Sequence, residues 1–408
     1  MNLYIILNHG IGNIGGGQLY VSSKKRYMEY IGWKVVVYYH LDGEIMIPNL
    51  LEYNENQIQE LALPPTYFSK KKCNKVLNKL YRYHNEAKKI IIESGGSNLA
   101  MWGELLAEKM KGKHIVYDLN EKIKATRNNF SFFYFKYKRN EFAGITPQSV
   151  NMFFKGFIDV PISTETCLSA YYDQQQVADV NFNIHKKFLD KTAINIALCG
   201  RLEKPFMLVV SKELANFALK HQGIRFNIIV IGGDVVGLNY TKKIQSIFAH
   251  ISNVDCNMFG FLFPLPKKLL NIIDFAISSS GFVGVLSRND IPTLAVDGND
   301  CMPIGIHGIT TRTTLYRKDD ELFSYDYWFE KMFIKHDFEK KDIDIQCSVD
   351  NNYLKLSSHM DFITKSSRVE GYYTEFGKKS YLKMLVIKLI GVKGYRLLHV
   401  FKNNIIVR

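Results

Sequence analysis

Arginine, lysine, serine and glycine gather at the ends of apolar runs between Ile194 and Asp297, a combination of groups suited to holding a phosphate. One run ends in Cys199-Gly200-Arg201-Leu202-Glu203-Lys204, a second in Ile231-Gly232-Gly233-Asp234, a third in Phe259-Gly260-Phe261 and a fourth in Ser278-Ser279-Ser280-Gly281-Phe282. Each run is short and leads into a helical pattern, the arrangement by which a parallel sheet presents backbone N–H groups and helix N-termini to phosphates. The Arg201 guanidinium and the Lys204 ammonium could neutralise the charge that develops on a departing diphosphate. Ser279, Ser280 and Gly281 would offer hydroxyls and free amides beside Phe282. A diphosphate-bearing ligand is the leading expectation. Ion pairing of Arg201 with Glu203 and simple helix capping by the serines are the alternatives.

A second constellation follows the first apolar run, in His9-Gly10-Ile11-Gly12-Asn13-Ile14-Gly15-Gly16-Gly17-Gln18. Its glycine spacing formally matches the dinucleotide fingerprint, which also wants an acid at the end of the second strand. Tyr38-Tyr39-His40 stand there and Asp42 comes late, so the pattern supports NAD poorly. Gly15, Gly16 and Gly17 instead let an acceptor or a phosphate approach the backbone closely. A direct displacement needs a base for the acceptor hydroxyl. Glu121 and then His9 lead the candidates, with Glu93 and Asp118 behind them, all at carboxyl ends of strands.

Sheets must position these groups. Leu3 to Leu7, Trp33 to Tyr39, Lys88 to Ile92, His114 to Leu119 and Phe142 to Thr146 read as strands, with helices at Gly16 to Tyr30, Asn98 to Met110 and Phe130 to Glu141. Continuous Ile/Val runs separated by helices indicate a parallel sheet covered on both faces. The pattern lapses into polar sequence from Asp173 to Lys191 and then repeats from Ala193 to Val296. The expected fold class is therefore α/β, as two tandem Rossmann-like doubly wound domains facing a central cleft, with a C-terminal helix. The expected domains are residues 1–180, 191–375 and a basic amphipathic segment 376–408.

Composition narrows the function classes. The six cysteines are widely spaced without a CxxC or Cys/His cluster, which fits reduced thiols in a cytosolic protein and argues against a structural metal. The opening apolar run lacks a basic n-region and reads as a strand, not a signal peptide. Net charge is +14, and no acid follows Glu375, while Lys383, Lys388, Lys393 and Arg396 alternate with Leu382, Leu385, Leu389 and Leu397. Such a stretch suits an anionic membrane surface, or equally a terminal helix packed on the body with a solvated lysine face. A further basic helix is read from Ser69 to Lys89, where interleaved Tyr81 and Tyr83 raise single-stranded nucleic acid. No nucleic-acid-binding motif accompanies it, so a solvated face is the simpler account and no nucleic-acid partner is expected.

The order and spacing of Ile14-Gly15-Gly16-Gly17, Gly200-Arg201-Leu202 with Lys204, Ile231-Gly232-Gly233, Phe259-Gly260-Phe261 and Asp274 to Gly284 resemble the GT-B fold glycosyltransferases. They are most similar to the group-4-like enzymes of bacterial capsule, exopolysaccharide and O-antigen assembly. The resemblance implies donor binding by Arg201, Lys204, Gly232, Gly233, Ser279, Ser280, Gly281 and Phe282, acceptor binding near Gly15, Gly16 and Gly17, and no metal or other cofactor. It implies transfer of a sugar from a nucleotide-sugar donor to a lipid-linked or growing oligosaccharide, by an enzyme peripheral on the inner face of the cell membrane. The alternatives are a sugar-nucleotide epimerase of the same fold and a non-catalytic nucleotide-sugar-binding homologue. Retaining members carry acids where this chain has Ser280 and Arg288, which points to a different donor, an inverting reaction or an inactive copy.

Overall fold

Residues 3–7, 35–38 and 90–92 are buried at every position, not at every second one, so their strands are covered on both faces. The protein is seen in a computed structural model that describes residues 1–82, 87–119, 123–168, 176–190, 192–234, 239–344, 352–366, 371–376 and 380–406. It divides into two compact units, Met1–Asp173 with Asp350–Arg408, and Gln174–Val349.

The first unit runs β1 (Asn2–Leu7), α1 (Gly16–Tyr30), β2 (Trp33–Tyr38), α2 (Lys70–Leu80), β3 (Lys89–Ser94), α3 (Ser97–Met110), β4 (Lys113–Asp118), α4 (Phe130–Lys138), β5 (Phe142–Gly144) and α5 (Ser149–Phe154). Its sheet has the order β2-β1-β3-β4-β5 with every pair parallel. The order reverses between β1 and β3, so the loops after these strands open a switch-point crevice. Burying charge is costly unless it is paired and hydrogen-bonded, and this unit meets that cost with one network. Lys136 Nζ donates to Glu104 Oε2 (2.8 Å), Glu141 Oε2 (2.6 Å) and the His114 carbonyl (2.8 Å), while His114 Nδ1 lies 2.7 Å from Glu104 Oε2.

The second unit runs β6 (Val177–Ala178), β7 (Ala193–Cys199), α6 (Pro205–Lys220), β8 (Arg225–Ile231), α7 (Tyr240–Phe248), β9 (Val254–Gly260), β10 (Leu265–Pro266), α8 (Lys267–Leu270), β11 (Phe275–Ser278), α9 (Gly281–Ser287), β12 (Thr293–Val296), β13 (Pro303–Ile306) and α10 (Tyr325–Phe329). Its main sheet has the order β13-β12-β11-β7-β8-β9, parallel except for β13. Strands β6 and β10 pair separately. Here the reversal falls between β7 and β11.

Two helices, α11 (Asn352–Lys365) and α12 (Tyr381–Ile406, kinked at Gly391), belong to the first unit. His359 of α11 is fully buried and stacks on Tyr20, the Tyr372 hydroxyl donates to the Gly112 carbonyl (3.0 Å), and the Tyr373 amide donates to Glu104 Oε1 (2.9 Å). These contacts place the described part of residues 350–375 with the N-terminal half, whereas the sequence pattern runs them on from the second domain. The basic helix expected from Ser69 to Lys89 is α2 alone. Ser69 caps it by accepting from the Lys72 amide (3.2 Å), it ends at Leu80, and Tyr83 lies outside the described residues. Val76, Leu77 and Leu80 face inward and Lys70, Lys71, Lys75 and Lys79 are exposed, as a solvated face requires.

Two glycines test the local argument. A Cβ on Gly232 would stand 1.8 Å from the Gly200 carbonyl oxygen, whereas one on Gly17 would meet nothing within 4 Å. Gly232→Ala should therefore destabilise by about 1–3 kcal/mol or more. Gly17→Ala, inside α1, should be neutral or stabilise by about 0.5–1 kcal/mol, and thermal denaturation of the two variants measures both.

Candidate functional site

At the switch point of the second unit, the ends of β7, β8, β9 and β11 are tied by backbone and hydroxyl. The Gly200 amide donates to the Ile231 carbonyl (3.0 Å), the Gly232 amide to the Gly260 carbonyl (2.8 Å), and Ser278 Oγ to the Cys199 carbonyl (2.7 Å). Gly233 lies under the Phe261 ring, where a Cβ would come within 2.4 Å of the ring carbons. Arg201 and Lys204 stand on this floor at the entry to α6, whose first position is Pro205 and whose first turn holds no acid. The N-terminus of α6 and the Arg201 and Lys204 side chains just before it are thus sources of positive potential at this edge of the sheet, with the Glu203 carboxylate paired to Arg201.

The Arg201 side chain is half exposed, and its NH1 pairs with Glu203 Oε1 at 3.2 Å. The expected ion pair is therefore present, between an exposed guanidinium and a carboxylate that is only 20% exposed. Glu203 Oε2 is buried without a hydrogen-bond partner. Burial and then the Arg201 charge lower the Lys204 pKa, and an anion bound beside it would favour the ammonium form.

The serine turn differs from simple capping. Ser280 takes φ 70°, ψ −146° at the start of α9 and its side chain makes no capping bond; its amide donates to the Thr314 carbonyl (2.6 Å). Positive φ is costly for a residue with a Cβ. Ser278 and Ser279 are buried, so of the three serines Ser280 reaches the surface, beside exposed Gly281 and half-buried Phe282. Thr314 was not found from sequence, because the contact is made by its carbonyl and no residue type signals that. In the sequence Asp234 stands only as the end of a strand motif. It holds the start of α7 by accepting from the Tyr240 amide (2.8 Å) and the Thr241 amide (3.0 Å).

In the first unit the loop after β1 is fixed from within. Asn8 Nδ2 and Gln18 Nε2 both donate to the Gly10 carbonyl (2.9 and 3.1 Å), and the Asn13 amide donates to the Glu44 carbonyl (2.7 Å). Gly15 sits extended at the N-cap of α1, with Gly16 and Gly17 in its first turn, where no side chain caps them. His9 is exposed, and its Nδ1 lies 3.0 Å from Nε2 of buried His40. Its Nε2 abuts Gly96, where a Cβ would approach within 2.4 Å. Partial burial and then Arg396 lower the His9 pKa; burial, then His9 and Arg396, push His40 down to about 3. His40 is therefore neutral near pH 7, and His9 is biased toward its neutral form. A proton on His9 Nδ1, donated to His40, leaves a lone pair on Nε2, the nitrogen beside Gly96.

The other candidate bases fare differently. Glu93 is buried, accepting from the Tyr4 hydroxyl (2.5 Å) and the Tyr20 hydroxyl (2.7 Å) with Lys24 3.6 Å away, so it serves the core and not a ligand. Asp118 is also buried. Glu121 lies outside the described residues. Asp42, the late acid of the dinucleotide pattern, is occupied by Gln57 (2.6 Å), Gln59 (3.2 Å) and Lys393 (3.3 Å). Among the described residues no three His, Cys, Asp or Glu side chains gather as metal ligands would.

No protein-family model matches the sequence, and no curated protein matches it. Solved structures do match. A glycosyltransferase from Rickettsia africae is similar with a TM-score of 0.53 and 12% identity, over 96% of this chain and 98% of that one. HepE from Anabaena, solved in complex with UDP, gives a TM-score of 0.51 and 13% identity, over 90% of this chain and 97% of that one. At such identities the likeness is one of fold, and it agrees with the two parallel sheets and their reversals: the chain has the GT-B-type fold of two Rossmann-like α/β units.

Proposed function

We propose that this protein is a glycosyltransferase that moves a sugar from a nucleotide-sugar donor to a lipid-linked or growing oligosaccharide acceptor, in bacterial surface polysaccharide synthesis. The observation that carries the reading is that Arg201 and Lys204 follow β7 and the Ser280-Gly281 turn follows β11, the two neighbouring strands at which the sheet order reverses, with Gly232 and Gly233 directly after β8. Its support from outside is a similarly folded protein that binds UDP.

In this reading the second unit holds the donor. As the bond between the sugar and the diphosphate breaks, the electron pair goes to the diphosphate oxygen, and Arg201 and Lys204 meet that charge in place of a metal. The first unit receives the acceptor near Gly15, Gly16 and Gly17. His9 takes the acceptor hydroxyl proton on Nε2 as the oxygen attacks the anomeric carbon, with Glu121 as the alternative base. The protein would act in the cytoplasm, peripheral on the inner face of the cell membrane. No helix among the described residues is long and apolar enough to cross a membrane. Exposed Leu382, Leu385 and Leu389 of α12 with Lys388 supply the membrane-facing surface in this reading, whereas Lys383 and Lys393 are engaged by Tyr67 and Asp42 of the first unit.

Thermal stabilisation by UDP or another nucleoside diphosphate should appear in the native protein. Arg201→Ala should lose about 1.5–3 kcal/mol of that binding, roughly 10–100-fold in Kd. A shift with NAD alone would sink the proposal. Because the Lys204 pKa is lowered, affinity for the diphosphate should decline with rising pH before the ordinary lysine value of about 10.4 is reached. In Lys204→Arg, whose charge persists, titration calorimetry across pH should show no such decline. For the membrane, co-sedimentation with anionic vesicles should fall severalfold when Leu382, Leu385 and Leu389 are replaced together by serine; unchanged binding removes that part of the reading.

A further inference from the structure

Acids that directly follow the parallel strands of the second unit are mostly spent on the backbone. Asp234, after β8, gives one oxygen to the Tyr240 amide (2.8 Å) and the other to the Thr241 amide (3.0 Å). Asp297, after β12, accepts from the Asn299 amide (2.7 Å) with one oxygen and from the Arg317 amide (2.6 Å) with the other. Asp300 accepts from the Met302 amide (2.8 Å) and pairs with the Arg317 guanidinium (2.9 Å). Glu203, after β7, differs. Its Oε1 meets the Arg201 guanidinium, and its Oε2, though covered, has no hydrogen-bond partner. Among the described residues, this is the acid of the group with acceptor capacity left over.

Its place in the chain couples it to the cation. The Lys204 amide donates to the Arg201 carbonyl (3.1 Å), so Arg201 and Glu203 ride on one tight turn. That turn follows β7, and the Ser280-Gly281 turn follows the neighbouring β11, where Ser278 is in register with Cys199. A carboxylate at this position works against a bare diphosphate. Like charges repel, and once the anion takes the guanidinium neither oxygen of Glu203 keeps a partner, which is costly for a largely covered acceptor. A diphosphate ester that also carries hydroxyls offsets that cost, because an O–H donated to a carboxylate makes a charge-assisted hydrogen bond. One side chain can then both penalise the wrong ligand and reward the right one.

We propose that Glu203 is a specificity-determining residue of the donor site. It accepts from a hydroxyl of the bound nucleotide sugar, on the ribose or on the transferred sugar, and it selects against inorganic diphosphate. The inference rests on the reading of this edge as the donor site, and it names the feature by which the ligand is chosen there, a hydroxyl beside the diphosphate.

Titration calorimetry of the full chain tests it with inorganic diphosphate, UDP, 2′,3′-dideoxyuridine diphosphate and UDP-glucose. In Glu203→Ala, inorganic diphosphate should bind severalfold tighter, while the hydroxyl-bearing ligand should bind about tenfold weaker or more. Changes of opposite sign cannot come from misfolding, which weakens both. Glu203→Gln keeps an acceptor oxygen without the charge, so it should show the same gain and a smaller loss. Weakening of UDP without weakening of the dideoxy analogue places the hydroxyl on the ribose; weakening of UDP-glucose alone places it on the transferred sugar. Unchanged binding of both UDP and UDP-glucose, equal weakening of UDP and its dideoxy analogue, or weaker binding of inorganic diphosphate would overturn the proposal. UDP binding that is lost in Arg201→Ala but untouched in Glu203→Ala defeats this inference alone, whereas binding of none of the four ligands defeats the donor-site reading and the inference with it.

Discussion

The candidate donor site depends on one close approach: the Cα of Gly232 packed against the carbonyl oxygen of Gly200, with no room for a methyl group between them. Because β7 and β8 are in parallel register up to Cys199 and Ile231, this contact fixes where the chain leaves β7. The position of Arg201 and the first turn of α6 follow from it. The hydroxyl of Ser278 then draws β11 to the same point through the Cys199 carbonyl. Electrostatic stabilisation of a leaving group is effective only when the charges are held in place beforehand, and in the proposed reading these contacts fix the backbone from which Arg201 and Lys204 project.

Much of this was legible in the sequence. Strands buried on both faces read as continuous Ile/Val runs, and the glycine pairs that end them mark the carboxyl edge of a sheet by spacing alone. Residues whose role is set by a backbone conformation were harder to read. Ser280 looked like a helix cap, yet its positive φ turns the amide to Thr314 and leaves the hydroxyl without a capping partner. Glu93 looked like a base at a strand end. That it is enclosed by Tyr4, Tyr20 and Lys24 depends on tertiary packing, which strand periodicity does not contain. In the sequence His40 stands out only as a residue that does not suit a dinucleotide site, and its contact with His9 joins two loops that are 31 residues apart in the chain.

Cations proved similarly hard to assign from pattern alone. The terminal lysines read as one basic face, but a side chain as long as lysine lays its stem along apolar surface and can turn its head in more than one direction. Lys383 turns to Tyr67, Lys393 to Asp42, and Lys388 stays exposed. Helix α12 therefore carries two jobs on two faces: it closes the first unit with Ile387 and Tyr395 and leaves its leucines uncovered.

The return of the chain to the first unit has a consequence for how the molecule is made. During synthesis the five parallel strands and their helices emerge well before His359, Tyr373, Ile387 and Tyr395, which complete their packing. The second unit is contiguous and can finish folding as soon as it leaves the ribosome, whereas the first must wait with part of its apolar surface uncovered until the last helix arrives. The nascent N-terminal half is thus the stage most exposed to aggregation and to chaperone capture.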